Sequence, residues 1–355
     1  MLRIYPGRLE AMIVLGIDTS CDDTSGAVVL DGTHVLSNVV HSQVELHHPY
    51  GGVVPELASR EHVTNLMPVV RESLLRADIR ITDLDGISVT VGPGLVGALL
   101  VGLYYAKGLA YAHNIPLVGV NHLEGHILSI FLEKQVPEFP FIALTVSGGH
   151  TSLYYVEGYG RYTQMGQTLD DAAGEAFDKV ARILGLGYPG GNVIEKAAKE
   201  GSPDKINFPR AYLSDGSLDF SFSGLKTAVN LYVKDWRGGK KEEDRVTLAD
   251  IAASFQESVV DVLIEKVMRA GEQKSVKAVM VAGGVACNTR LREKLQARTS
   301  GNGVKVYFPR PVYCTDNAAM IAATGYHRIV CGERADLGLD VRSKFPIQDL
   351  PSLTC

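Results

Sequence analysis

Two histidines four residues apart, in Asn121-His122-Leu123-Glu124-Gly125-His126, follow an apolar stretch and precede an apolar run. On a helix that spacing stacks both imidazoles on one face. Neutral imidazole binds zinc, iron and related divalent ions, so the segment is half of a metal site. In the zinc-peptidase helix H-E-x-x-H a glutamate directly follows the first histidine and serves as general base. Here Leu123 holds that place, and Glu124, about 200° around the helix from His122, points away from the metal face. The pair argues for a metal and against a zinc peptidase. A core pair satisfied by hydrogen bonds fits two isolated histidines equally well, so the rest of the chain has to decide.

A third ligand is available in Cys314-Thr315-Asp316-Asn317. Asp316 is a hard oxygen donor that would complete a His–His–Asp triad with coordination positions left open. It also stands where a helix begins, and a plain N-cap explains it as well. Glycine turns supply a second kind of chemistry. Ser147-Gly148-Gly149-His150-Thr151, after a strand over 142–146, offers backbone N–H groups with no side chain in the way, which suits a phosphate or acyl-phosphate oxygen or a simple hairpin turn. Ala282-Gly283-Gly284-Val285-Ala286-Cys287-Asn288 follows another apolar strand and opens a helix; its glycines admit a base or ribose, and Asn288 can bind a ligand, cap the helix, or both. Glu175 and Asp178 share a helical face, fit for ribose hydroxyls or for solvent. Tyr188-Pro189-Gly190-Gly191 is a further glycine turn before a helix. No G-x-x-x-x-G-K-[ST] occurs, which excludes a P-loop NTPase.

The elements that must position these residues repeat themselves. Residues 13–30 read as strand, polar turn (18–25) and second strand (26–30); residues 141–156 repeat the plan, with strands at 142–146 and 152–156. A duplicated hairpin opening two halves predicts an α/β, two-lobed fold with a nucleotide in the cleft, two unrelated hairpins being the alternative. Helices are expected over 59–77 with Ser59 as cap, and over 98–112, 170–184, 246–270, 289–297 and 315–330. Strands are expected at 86–90, 116–120 and 278–281. The expected division is an appendage at 1–12, lobe I at 13–130, lobe II at 131–330 with an insertion near 205–245, and a tail at 331–355 packing on the core. The charged run 237–245 reads as a solvated loop.

Composition narrows the class. With 355 residues, 46% apolar, 21% charged and 37 glycines, the chain has the make-up of a turn-rich α/β enzyme. A net charge of −5 leaves any polyanion partner to a local basic patch or another subunit. Five scattered cysteines with no C-x-x-C fit a reducing cytoplasm. No run is long enough to span a membrane, the stretch 95–103 being broken by Gly97 and Gly102, and residues 1–11 lack the apolar core of a signal peptide.

Taken together, these motifs match one family. Gly16-Ile17-Asp18-Thr19-Ser20-Cys21-Asp22-Asp23-Thr24, Tyr50-Gly51-Gly52-Val53-Val54-Pro55-Glu56-Leu57-Ala58-Ser59-Arg60, Gly92-Pro93-Gly94-Leu95-Val96-Gly97-Ala98-Leu99, the histidine segment, 146–151, 170–179, Phe220-Ser221-Phe222-Ser223-Gly224-Leu225-Lys226-Thr227, 283–288 and 315–317 occur in the family's order over about 13–330. The sequence resembles the TsaD family, tRNA N6-adenosine threonylcarbamoyltransferases once described as O-sialoglycoprotein endopeptidases. The resemblance implies the actin/Hsp70/sugar-kinase (ASKHA) fold with a duplicated RNase H-like core. It implies one divalent metal, iron or zinc, on His122, His126 and Asp316. It also implies a threonylcarbamoyl-AMP site touching Val146, Ser147, Gly148, Gly149, His150, Asp178, Gly191 and Asn288. Asp22 matches an acidic position linked to activity and is the candidate base or positioning group. Asp23 departs from the glutamate of many bacterial members; Glu195, at a variable position, receives no role. The implied partners are tRNA, a paralogous TsaB-type subunit, a TsaE-type ATPase and a TsaC-type synthetase that supplies the adenylate, in the bacterial cytoplasm with no membrane. Three rivals predict other features: a peptidase needs a glutamate after the first histidine, an ATP-responsive scaffold does not need the histidines, and a kinase would move phosphate.

Overall fold

The computed structural model describes residues 11–212, 216–238, 246–351 and 353. β1 (Ile13–Asp18), β2 (Asp23–Leu30) and β3 (His34–Ser42) run as an antiparallel meander into α1 (Val44–His47) and α2 (Pro55–Ala77). β4 (Gly86–Gly92), α3 (Val96–His113) and β5 (Leu117–Asn121) complete the first sheet in the order β3-β2-β1-β4-β5, and α4 (His122–Leu128) leaves its end. The second half repeats this. β6 (Phe141–Val146), β7 (Thr151–Gly158) and β8 (Arg161–Gln167) form the meander. Next come α5 (Ala173–Leu184), α6 (Gly190–Ala198), α7 (Ser223–Arg237), α8 (Leu248–Lys274), β9 (Ala278–Ala282), α9 (Thr289–Thr299) and β10 (Lys305–Tyr307). The second sheet has the order β10-β9-β6-β7-β8. Each first strand pairs antiparallel with the next strand and parallel with one reached through helices, β1 with β4 and β6 with β9. The two sheets are one topology used twice. α10 (Pro311–Cys314) and α11 (Ala318–Val330) then return the chain to the first sheet, where Arg342 N–H donates to Val91 and Phe345 joins the core.

β1 and β6 are apolar runs because both faces are covered. Gly16 shows how closely. A Cβ there would lie 2.2 Å from the Ala318 carbonyl oxygen and 2.7 Å from Ala322 N, so α11 rests on the bare backbone of β1. Gly16→Ala is expected to destabilise the fold by about 1–3 kcal/mol, read as a lower urea midpoint; an unchanged midpoint would mean that α11 has room to move.

Several expected boundaries shift for identifiable reasons. α2 starts at Pro55, whose missing N–H suits the first turn, and Ser59 lies inside the helix with its hydroxyl donating to Pro55 O. β2 begins at Asp23, because its ladder with β3 extends to Asp23↔Ser42, two residues beyond the end of its ladder with β1 at Asp18↔Ser25. α5 begins at Ala173, since the Asp170 carboxylate instead accepts from the N–H groups of Phe222 and Ser223, at 2.8 and 3.3 Å, and tethers the start of α7. α11 begins at Ala318, not at 315. The first ten residues of the expected appendage, and 239–245 of the charged loop, lie outside the described residues.

α9, which starts beside a glycine turn of the cleft, is locked to α8 by charge. Glu257 on α8 accepts from Arg290 Nε at 2.7 Å and Nη2 at 2.9 Å, and from Lys294. Burial alone would raise the Glu257 pKa, but these cations hold it down at about 2. Its folded value lies below the ordinary glutamate value of about 4.3. The stabilisation is therefore present above that value and lost as pH falls from there through about 2. Glu257→Gln is expected to unfold at lower urea than the parent protein at neutral pH, with the gap shrinking steadily over that acid window. A gap independent of pH would contradict the assignment.

Candidate metal centre and nucleotide cleft

The functional side chains leave the carboxyl ends of the sheet strands. β1 ends in Asp18, β4 in the Gly92-Pro93-Gly94 turn, β5 in Asn121, β6 in the Ser147 turn and β9 in Gly283. Asn121 converts β5 directly into α4. Its Oδ1 accepts from the N–H groups of Leu123 and Glu124 at 2.9 and 3.2 Å, while its Nδ2 donates to Phe345 O at 2.8 Å. His122 and His126 are therefore both helical and both buried, with ring centroids 4.7 Å apart.

Asp316 meets them. Its Oδ1 lies 3.1 Å from His126 Nε2 and 3.4 Å from His122 Nε2, and one ligand atom from each residue falls within 4.8 Å of the others. The capping explanation for Asp316 fails on a direct observation. Asn317 is the cap of α11, its Oδ1 accepting from Met320 N–H at 3.1 Å, which leaves the aspartate free to face the histidines. Two donors about 2.1 Å from one tetrahedral ion stand roughly 3.4 Å apart, so the spacing fits a divalent metal of the zinc or iron type.

The electrostatics agree. Burial opposes protonation of His122, yet Asp316 and Asp18 push its pKa up to about 10. Burial likewise opposes charge on Asp316, but His122 and His126 hold it well below the carboxylate range. The negative charge of Asp18 and Asp316 beside the two imidazoles favours a cation at this position. Asp18 and Ser20 went unrecognised as individual site residues. Asp18 Oδ2 lies 3.3 Å and Ser20 Oγ 3.2 Å from His122 Nδ1, which leaves Nε2 for the metal. The one signal for them was their position at the carboxyl end of a buried strand.

Beside the triad opens a cavity of about 590 Å³, walled by both halves of the chain. Asp22, Asp23, His122 and Asp316 line it from one side, and Ser147, Gly148, Gly149, His150 and Asp178 from the other. Gly148 and Gly149 are exposed, and a Cβ on either would meet no atom within 4 Å, so their backbone faces open space. The turn is held by Ser147 N–H to His150 O at 2.8 Å and His150 N–H to Ser147 Oγ at 3.2 Å. Burial holds the His150 pKa down at about 4, leaving a neutral imidazole. Burial also raises Asp22 and Asp178, and with Asp316 nearby it raises Asp23 to about 7. Asp178 Oδ1 accepts from Gly190 N–H at 2.7 Å, which aims the carboxyl and leaves its second oxygen available.

Two of the expected residues, Val146 and Asn288, sit behind the wall, and Gly191 stands beside it. Val146 is fully buried, its carbonyl oxygen 2.3 Å from where a Cβ on Gly283 would stand. Asn288 caps α9 through Leu291 N–H at 3.0 Å and donates to Gln256 Oε1 at 2.7 Å. Gly191 lies in the first turn of α6, half-buried, and a Cβ there would meet no atom within 4 Å. Arg182, which sequence reasoning missed, crosses the cleft mouth and donates to Gly51 O. Glu124 points away from the metal, as its place on the helix requires, and is taken up by Arg328 and Tyr162.

A family model described as "tRNA N6-adenosine threonylcarbamoyltransferase" (TsaD) matches residues 34–323. A protein of that name from Syntrophus aciditrophicus (strain SB) is 53% identical over 336 residues, covering 95% of this chain and 98% of its own. Another, from Thermodesulfovibrio yellowstonii (strain ATCC 51303 / DSM 11347 / YP87), is 55% identical over 339 residues, covering 95% and 100%. Among solved structures, full-length HypF in its phosphate- and nucleotide-bound form aligns with a TM-score of 0.61 at 13% identity, over 91% of this chain and 47% of HypF. Component A of (R)-2-hydroxyglutaryl-CoA dehydratase from Acidaminococcus fermentans aligns with a TM-score of 0.53 at 17% identity, over 90% and 99%. These two likenesses are of fold, in agreement with the duplicated sheet topology. The match over nearly the full length of curated relatives, in a chain whose cleft carries the expected motifs, places it in the TsaD family of tRNA N6-adenosine threonylcarbamoyltransferases.

Proposed function

We propose that this chain transfers the threonylcarbamoyl group of L-threonylcarbamoyl-AMP to N6 of the adenosine 3′ to the anticodon in tRNAs that read ANN codons. The observation that carries the reading beyond family membership is that His122 and Asp316 line the same cavity as the bare Gly148-Gly149 backbone. An ion-binding group and an anion-binding turn thus face one substrate-sized space.

His122, His126 and Asp316 hold the metal, iron or zinc, which when bound supplies Lewis acidity to the acyl carbonyl. The N–H groups of Gly148 and Gly149 receive the phosphate of the adenylate, and the free oxygen of Asp178 its ribose. Ser147 and neutral His150 shape the turn, Val146 and Asn288 support the nucleotide side from behind, and the bare backbone of Gly191 leaves room for the nucleotide beside it. Asp22, on the opposite wall, orients the incoming N6 amine or accepts its proton as the new C–N bond forms and the C–O bond to AMP breaks. The amine is a weak nucleophile, so holding it against the carbonyl is the larger contribution. A TsaB-type paralogue, a TsaE-type ATPase and a TsaC-type synthetase complete the system in the bacterial cytoplasm; no described helix is long and apolar enough to cross a membrane. The glutamate that a zinc peptidase places directly after its first histidine is Leu123 here, and Glu124 is engaged by Arg328.

The test is mass spectrometry of tRNA nucleosides after incubation of the protein, active partners and L-threonylcarbamoyl-AMP with an ANN-reading tRNA. Threonylcarbamoyladenosine at the position after the anticodon is expected. Unmodified tRNA in that mixture would overturn the reading.

A further inference from the structure

The helix that carries both histidines is gripped from behind by groups that are not metal ligands. α4 lies against α11, the helix that follows Asp316. At Gly125, midway along α4, a Cβ would come within 2.9 Å of Ile321 Cδ1, so the two helices touch there. Glu124, fully buried on the face opposite the histidines, accepts from Arg328 Nε at 2.9 Å and Nη2 at 2.6 Å. Arg328, in the last turn of α11 and 1% exposed, also donates to Glu333 at 2.6 Å. The second Glu124 oxygen accepts from Tyr162 OH at 3.0 Å, and Tyr162 belongs to β8 of the second sheet.

A carboxylate and a guanidinium taken this far from water are expensive, and an apolar pair of similar volume commonly gives a more stable fold. Their placement suggests what they do instead. α4 has seven residues, capped at its start by Asn121, and turning it about its axis would swing Glu124 one way and the histidines the other.

We propose that Glu124 is a positioning residue: through Arg328 it fixes the rotation of α4 against α11, and so the approach of His122 and His126 to Asp316. Through Tyr162 it ties that rotation to the second sheet, the half of the chain that carries Gly148 and Gly149. The substrate-binding half thereby sets how tightly the metal is held. This rests on the metal reading above and goes beyond it by giving a role to a glutamate that faces away from the metal.

The test uses full-length protein stripped of metal by chelation and titrated with Co(II), whose visible bands report coordination geometry, and with Zn(II) in competition. Tyr162→Phe removes one hydroxyl, and Glu124→Gln removes the charge. Loss of such outer groups is expected to weaken metal affinity by about 10-fold for Tyr162→Phe and up to about 100-fold for Glu124→Gln, with altered Co(II) bands. Metal-free Tyr162→Phe is expected to unfold at a lower urea midpoint, because one oxygen of buried Glu124 loses its donor. Affinity is therefore read without denaturant on protein shown to be folded by circular dichroism, where a stability loss alone would leave the Co(II) bands at their parent positions. If Glu124→Gln does not fold, Tyr162→Phe decides alone. Parent affinity and parent spectrum in Tyr162→Phe would overturn the inference while leaving the metal site intact. Failure of the parent protein itself to bind Co(II) or Zn(II) would remove the metal reading as well.

Discussion

His126→Ala is expected to leave a folded protein that binds no metal and modifies tRNA at least about 10³-fold more slowly. His126 is 1% exposed, and its Nε2 makes the shorter of the two contacts to Asp316, 3.1 against 3.4 Å. Removing it leaves two ligands, one of them the carboxylate at the rim, too few to hold the ion. Asp316→Ala is expected to act alike. Asp18→Asn is expected to be milder, about 10–100-fold in metal affinity, because it disturbs only the orientation of His122. Elemental analysis of the purified variants and single-turnover transfer read the two effects separately. Normal metal content in His126→Ala would remove that residue from the site.

The second large effect concerns folding. Arg328→Met leaves Glu124 buried with Tyr162 as its remaining partner, an uncompensated carboxylate that costs about 3–5 kcal/mol. Burial already raises the Glu124 pKa against the lowering influence of Arg328, so the variant takes up a proton on folding and loses stability as pH rises. Combining Arg328→Met with Glu124→Leu is expected to recover most of the loss, because both charges then leave the interior together. Urea midpoints of the two singles and the double give the coupling directly; strictly additive losses would show that the pair does not act as one unit.

Both effects come from residues far apart in the chain, and this marks what was legible in the sequence. The duplicated hairpins, the helical spacing of His122 and His126 and the glycine turns are local patterns of period and turn chemistry, and the fold carries each of them. Element starts were less legible where several residues compete for one cap. Thr315, Asp316 and Asn317 can all cap a helix; tertiary structure selects Asn317, and that choice frees Asp316 as a ligand. Pro55 prevails over Ser59 for the same helix-start position, by fixing its own φ. Asn288 reads as a ligand group, a helix cap, or both; the fold carries the cap bond and adds a contact with Gln256 that no local pattern encodes. Asp18 looked like part of a polar turn because its partner, His122, lies across the sheet on another strand's end. The Glu124–Arg328 pair joins residues 204 positions apart, and no periodicity encodes such a contact.

The central claim is that the His122–His126–Asp316 triad and the glycine-turn cleft act as one transfer site. Its most direct test is the single-turnover rate of threonylcarbamoyladenosine formation as a function of metal occupancy. The parent protein would be assayed as purified, chelator-stripped and reloaded, beside a His122→Ala/His126→Ala double variant, with the same partners and adenylate throughout. The expected result is a rate that rises in proportion to occupancy, is lost on stripping, returns on reloading and is absent in the double variant. Transfer at the parent rate by the metal-free double variant would contradict the account.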